Sequence, residues 1–94
     1  MDKVVYLVDY LVKQMVKEPE KVLVELGQDE SSYSIINIKV SENDMGSIIG
    51  KGGNIANAIR TIAQATAYAN GEKKVKVNID SIGSLSSSVG DVQN

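Results

Sequence analysis

Apolar residues in the first part of the chain recur at helical spacing. Between positions 4 and 16 they fall three and four residues apart, with charged and amide side chains on the opposite face. This pattern predicts an amphipathic helix held by packing, because its many valines are mediocre helix formers. Pro19 disfavours helical geometry at the preceding residue, so the helix is expected to end at Glu18. A membrane-surface helix is the alternative, but its polar face would need to be strongly basic rather than mixed in sign.

From Lys21 the apolar period changes to two, which is typical of a strand. A polar turn covers 27–32, and alternation then resumes and continues to Val40. The two runs predict an antiparallel hairpin whose buried face carries Val22, Val24, Leu26, Ile36, Ile38 and Val40. Leu23, Tyr33 and Ile35 fall on the other face, where they are either ordinary exposed residues or a patch for a partner.

The second half of the chain predicts two helices and one strand. Ser41 to Asp44 has the Ser-x-x-acid form of a helix start, and a short helix is expected over about 43–49. A longer apolar-periodic helix is expected over about 53–69, ending at Asn70-Gly71. Alternation over 74–79 then predicts a third strand.

The order α-β-β-α-α-β predicts an α+β fold in two layers, with three helices on one face of a three-stranded sheet. A length of 94 residues leaves room for one domain. We assign it to residues 1–80. Residues 81–94 are rich in Ser and Gly and are predicted to form a flexible tail.

Composition excludes many kinds of chemistry. The chain has no Cys and no His, so thiolate or imidazole metal sites, cysteine nucleophiles and Ser-His triads are all absent. No constellation of acidic residues at workable spacing replaces them, and we predict no catalytic residue, metal or cofactor. The chain shows no signal-peptide pattern and no apolar run of the ~18–20 residues that a membrane span needs. A cytoplasmic location without membrane association is therefore expected.

Charge is unevenly distributed along the chain. Overall there are 10 basic and 12 acidic residues, which argues against indiscriminate binding to nucleic acid. Residues 1–31 carry four Lys and seven acidic residues, a net charge of −3, whereas residues 32–80 carry six basic and four acidic residues, a net of +2. The excess positive charge therefore accompanies the second half of the fold.

That half contains a short stretch with three glycines and one lysine. Gly50, Gly52 and Gly53 allow positive φ and close approach of a ligand to the main chain, and Lys51 favours an anion such as phosphate. The helix that follows would point its N-terminus at the same ligand. A Walker loop is excluded because Lys51 precedes glycine instead of Ser or Thr, and the spacing also rules out a dinucleotide-binding fingerprint.

The run Ile-Ile-Gly-Lys-Gly-Gly between two helices resembles the GXXG loop of KH domains, which clamps the backbone of about four nucleotides. Its continuation Asn-Ile-Ala-Asn-Ala-Ile-Arg-Thr, residues 54–61, is similar to the small bacterial KH proteins of the KhpA (YlqC) family. The resemblance covers about residues 4–80 and implies the type II form of the KH fold. Four Tyr without Phe or Trp agree with a module that stacks bases little on aromatics, unlike RRM or cold-shock readers.

The resemblance also implies a set of RNA-binding residues. Gly50 and Gly53 would be the ends of the loop and Lys51 and Gly52 its variable middle, while Ile49 and Ile55 either line a groove for bases or pack the helices. Family members often have Arg or Lys where this chain has Asn54 and Asn57, which predicts weaker attraction of phosphate. Arg60 either contacts the RNA backbone or forms an ion pair on the helix surface.

The function implied by the resemblance is binding of single-stranded RNA, with single-stranded DNA as a second possible ligand. The family further implies action as an RNA chaperone or post-transcriptional regulator linked to cell elongation and division. Expected protein partners are a second copy of the chain or a larger KH/Jag-type protein. The alternative is a protein-interaction, dimerising module with weak or lost RNA binding, favoured by the acidic pI of about 5.0.

Overall fold

The computed structural model describes residues 1–82. Its helices and strands follow the predicted order: α1 Asp2–Met15, β1 Leu23–Gln28, β2 Ser34–Val40, α2 Met45–Ile49, α3 Asn54–Ala69 and β3 Val75–Ser81. Short 3-10 turns precede β1, α2 and α3. This is the predicted α+β arrangement of a type II KH fold, and the fold prediction is confirmed.

The three strands form a mixed sheet in the order β1-β2-β3. β1 pairs antiparallel with β2, as the hairpin prediction requires, with Val24 opposite Ile38. β3 pairs parallel with β2, with Val77 opposite Ile36. The parallel pair is possible because α2 and α3 return the chain to the starting end of the sheet.

One face of the sheet packs against the helices to form the core. β2 is the central strand, and Ile36, Ile38 and Val40 are fully buried. The helices contribute Val4, Val8, Val12, Ile48, Ile59, Ala63 and Ala67, and β3 contributes Val75 and Val77. The small alanines let α3 lie close to its neighbours, which suits a core without Phe or Trp. Leu26, predicted on the buried face, does face the helices, but its position on an edge strand leaves it 48% exposed.

The end of α1 differs from the prediction, and Asp44 explains the difference. The helix ends at Met15, and Val16 is extended. The next two N–H groups, of Lys17 and Glu18, donate to the Asp44 carboxylate at 2.9 and 3.0 Å. These hydrogen bonds draw the chain away from the helix before Pro19 is reached. They also hold the pKa of Asp44 below its usual range, with the bond from Lys17 as the largest cause.

The start of α2 is therefore built differently from the predicted cap. A 3-10 turn covers Glu42–Asp44, and no side chain caps it. The Ser41 hydroxyl instead donates to the Asp44 carboxylate at 3.1 Å. Asp44, the acidic residue of the Ser-x-x-acid pattern, therefore accepts hydrogen bonds from backbone N–H groups just after α1 and not from those at the start of α2. The prediction of a side-chain cap for α2 was wrong on this point.

At the C-terminal end, β3 continues two residues beyond the predicted strand. Ser81 is its last residue, and the N–H of Ile82 donates to the carbonyl of Val40 at 2.8 Å. The rest of the predicted tail lies outside the described residues. No helix within residues 1–82 combines the length and the apolar character needed to cross a membrane.

Candidate nucleic-acid interface

The glycine loop joins α2 to α3 through backbone conformations that only glycine adopts easily. Gly50 has φ 75° and ψ 177°, and Gly52 has φ 64°. Residues other than Gly, Asn and Asp rarely adopt a positive φ. The loop is a tight 3-10 turn over Lys51–Gly53 that leads directly into α3.

Gly50 and Gly52 have different surroundings. A Cβ added to Gly50 would lie 2.9 Å from the backbone nitrogen of Ile55, and closer still to its side chain. At Gly52 an added Cβ would meet no atom within 4 Å. Gly50 is therefore required by the protein's own packing, whereas Gly52 and Lys51 are exposed to solvent and accessible to a ligand.

Several backbone donors converge at this turn. Among residues 1–82, no acceptor is bonded to the N–H groups of Lys51 and Gly52, as expected for the first residues of a helical turn. No side chain caps α3, and no acidic residue lies in its first turn. With the positive end of the helix dipole and the Lys51 ammonium, the loop presents three kinds of attraction for an anion at one place.

The two asparagines and Arg60 continue this surface along α3. Asn54 and Asn57 are exposed. Arg60 lies six residues into the helix, about 9 Å from its start. Its guanidinium donates through Nη1 to the Asn57 side-chain oxygen and through Nε to the Val77 carbonyl, both at 3.3 Å. Neither of these two acceptors is a carboxylate.

Ile49 and Ile55 lie on either side of the loop. Ile49, the last residue of α2, is half-buried. Ile55 is 36% exposed, and its side chain packs over the α-carbon of Gly50. Ile55 thus has a definite packing contact within the loop, while part of its surface remains available to a ligand.

A polar cavity near Arg60 contains residues that were not singled out from the sequence. It has a volume of about 450 Å³. Its lining consists of Arg60 together with Asn37, Ile38, Lys39, Asn78, Ile79 and Asp80. Asn78 donates to Asn37 across the strands at 3.3 Å. The alternating polar residues of the two strands were visible in the sequence, but only the parallel register of β2 and β3 brings them together.

A comparison with protein-family models decides the family. The model described as "KhpA/KhpB, KH domain" matches residues 6–79. This chain belongs to that family. The resemblance to the KhpA family is thereby confirmed, and the matched residues include all of the glycine loop and α3.

Several curated KhpA proteins are similar over the same part of the chain. "RNA-binding protein KhpA" of Clostridium perfringens is 47% identical over 73 residues, covering 78% of this chain and 95% of the relative. The KhpA of Listeria monocytogenes is 39% identical over 69 residues, covering 73% and 88% of the two chains. The KhpA of Borreliella burgdorferi is 37% identical over 73 residues, covering 78% and 87%.

Two solved structures of Era share the fold. Era in complex with MgGDPNP and nucleotides 1506–1542 of 16S ribosomal RNA superposes with a TM-score of 0.56 at 17% identity. Aquifex aeolicus Era Y63A bound to GDP.AlF4- gives 0.55 at 17% identity. Each match covers 86% of this chain but only 31% of the Era chain. At this level of identity the similarity establishes the fold alone.

Proposed function

We propose that this chain binds single-stranded RNA by clamping about four nucleotides at the loop Gly50–Gly53. The main support is the exposed turn whose Lys51 and Gly52 N–H groups have no acceptor within residues 1–82. In this proposal these N–H groups and the α3 N-terminus bind phosphate oxygens, and Lys51 adds positive charge. Asn54 contributes a hydrogen-bond donor in place of a basic side chain.

Further along the strand, Arg60 would contact the sugar-phosphate backbone. Its Nε and Nη1 are already held by Val77 and Asn57, so the guanidinium is fixed in position before RNA arrives. Ile49 and Ile55 present aliphatic surface beside the loop, where a base can lie without aromatic stacking. The polar cavity near Arg60 offers a place for a second base or its sugar.

We also propose the biological role that the family suggests. The protein would act in the cytoplasm, without catalytic activity, as an RNA chaperone or post-transcriptional regulator connected with cell elongation and division. A module that holds few nucleotides binds weakly, and pairing with a second copy or with a larger KH/Jag-type protein would raise avidity. Exposed apolar side chains such as Ile62 and Tyr68 on α3 are available for such contacts.

The direct test is the double variant Lys51→Asp with Gly52→Asp. Aspartate tolerates the positive φ of position 52, and no neighbouring atom obstructs it. Affinity for a fluorescent single-stranded RNA, measured by anisotropy at fixed salt, is expected to fall at least tenfold. The same titration with DNA of equal sequence measures the preference between the two nucleic acids.

A control variant separates local from overall charge. Lys3→Asp with Gln14→Asp makes the same change in net charge at two exposed positions of α1. It is expected to retain most of the affinity. Equal affinity of the loop variant and the wild type, with the fold intact by circular dichroism, would refute the clamp.

The second candidate function is a protein-interaction module without RNA binding. The observation that favours it is the net charge of −3 over residues 1–31, together with exposed tyrosines on α1. This alternative predicts self-association or complex formation by sedimentation but no salt-dependent RNA binding. An affinity for RNA that falls steeply from low to moderate salt would eliminate it.

A further inference from the structure

The two edges of the sheet differ in whether side chains hydrogen-bond to their outward-facing backbone groups. At the β3 edge, α3 supplies two side-chain caps: Gln64 Nε2 donates to the carbonyl of Val75 at 3.2 Å, and Arg60 Nε donates to that of Val77 at 3.3 Å. An uncapped strand edge is a place where another strand can pair. The β3 edge is therefore partly occupied by the protein's own helix.

The β1 edge has no such caps. At the hairpin turn, the N–H of Asp29 donates to the carbonyl of Tyr33, which identifies a hydrogen-bonded pair of the antiparallel ladder. Because bonded and non-bonded pairs alternate, the N–H and C=O groups of Val24, Leu26 and Gln28 point away from β2. Within residues 1–82, no loop or side chain hydrogen-bonds to these outward groups.

A groove runs between this edge and α1. It encloses about 380 Å³. Its lining residues are Asp2, Val5, Tyr6, Asp9, Val24 and Leu26. Tyr6 lies at one side of the groove and is 74% exposed, so its ring is accessible to a partner. Val24 and Leu26 thus present both outward backbone groups and side chains that face the groove.

The charges around this surface indicate which kind of partner it binds. Asp2 and Asp9 line the groove, and Asp9 is paired with Lys13 at 3.0 Å. Glu25 lies on the open face of β1 between Val24 and Leu26. RNA phosphates would be repelled here, and a second copy would bring the same carboxylates together. The chain's own residues 83–94 carry a single charge, that of Asp91, and it is negative. These candidates are all disfavoured relative to a basic partner.

We propose that the β1 edge and its groove bind an extended segment of another protein in which apolar residues alternate with Lys or Arg. The segment adds as a fourth strand beside β1, with main-chain hydrogen bonds to Val24 and Leu26. Its apolar side chains enter the groove against α1. Its basic side chains lie on the open face beside Glu25, where opposite charges on neighbouring strands attract. This surface is independent of the proposed RNA function.

The test uses a blocked seven-residue peptide, Lys-Val-Lys-Val-Lys-Val-Lys, titrated into the full chain labelled with 15N. Saturable shifts are expected at the amide signals of Val24, Leu26 and Gln28 and along the groove face of α1, with the glycine loop unaffected. A peptide of the same design with Glu in place of Lys is expected to bind at least about fivefold more weakly. A Lys-Val peptide with N-methylated amides is expected not to bind.

A variant with reversed charge at position 25 tests the same interaction from the side of the protein. Glu25→Lys changes an exposed side chain on the open face and leaves both the ladder and the groove in place. It is expected to reverse the preference, so that the Glu-Val peptide binds more tightly than the Lys-Val peptide. The proposal is overturned by the absence of saturable shifts, by equal binding of the N-methylated peptide, or by protection of the β1 amides through self-association without peptide. The Lys51→Asp, Gly52→Asp variant is expected to bind the peptide as the wild type does.

Discussion

Ile55 packs directly over Gly50, so close that position 50 has no room for a side chain. The loop is thus held at one end by the first turn of α3 and remains open in its middle, around Gly52. A fixed end and an accessible middle are what a backbone clamp needs, because the donors must keep their positions while the ligand approaches. Stability and binding should therefore respond differently to changes at Gly50 and at Gly52.

Gly50→Ala is expected to destabilise the fold and to weaken RNA binding. The new methyl group meets Ile55, and the backbone conformation at position 50 is one that almost only glycine adopts, at a cost of about 1–3 kcal/mol. Urea unfolding followed by circular dichroism measures the change. The control is Gly46→Ala in α2, where an added Cβ meets nothing within 4 Å. That variant should be neutral or stabilised by up to about 1 kcal/mol, and equal behaviour of the two variants would contradict the packing role.

Asp44→Asn is expected to lower stability at neutral pH and to change its dependence on pH. Hydrogen bonds from Lys17, Glu18 and Ser41 lower the folded-state pKa of Asp44. A lowered pKa contributes stability that is present above the ordinary carboxyl pKa of about 3.9 and is lost as pH falls through the lower folded value. The stability difference between wild type and variant should therefore shrink below about pH 4.

Unfolding free energies measured from pH 7 down to the acid transition test this. Glu42→Gln provides the control, since it alters an exposed acid in the same 3-10 turn. It should leave the neutral-pH stability nearly unchanged. A difference between wild type and Asp44→Asn that stays constant across the whole pH range would show that the charge of Asp44 is not what holds α1 to α2.

Asn54→Lys is expected to strengthen RNA binding. Position 54 is exposed at the first residue of α3, where an added ammonium would reach the phosphates of RNA in the proposed complex. One new phosphate contact should steepen the dependence of log affinity on log salt by about 0.7 for a single strand. Gln14→Lys adds the same charge on α1 and should leave the slope unchanged. Equal slopes for both variants would mean that position 54 does not face the RNA.

Arg60→Lys separates the structural role of this side chain from its charge. Lysine keeps the positive charge but cannot hydrogen-bond to both Asn57 and Val77 in the same way. Stability is expected to fall by about 0.5–1.5 kcal/mol, with RNA affinity reduced less than in Arg60→Gln. Thermal and urea unfolding, with anisotropy titrations of both variants, check the two effects. An unfolding free energy equal to that of the wild type would exclude a capping role at the β3 edge.

Much of the fold was predictable because its elements have one strongly buried face. The hairpin and α3 show regular apolar periods, and the residues predicted inward on β2, such as Ile36 and Ile38, are fully buried. The glycine loop was equally recognisable, since Gly50, Gly52 and Gly53 all have the positive φ expected of this motif. These signals are local, because each one depends only on residues that are close together in the sequence.

The features that escaped prediction depend on contacts between distant parts of the chain. Asp44 binds backbone groups 26 and 27 residues away, so its local pattern suggested a cap for the wrong helix. Arg60 was assigned to RNA or to an ion pair because nothing in the sequence indicates that it reaches the carbonyl of Val77. The role of each side chain depends on how the layers pack.

The unequal edges of the sheet have a consequence for assembly. In the proposed complex a strand joins beside β1, whereas the arginine and glutamine of α3 obstruct the same kind of pairing beyond β3. Strand addition would therefore stop after one partner and could not propagate from molecule to molecule into a fibre. A small domain with few aromatic residues can in this way expose one unpaired strand edge at low risk of aggregation.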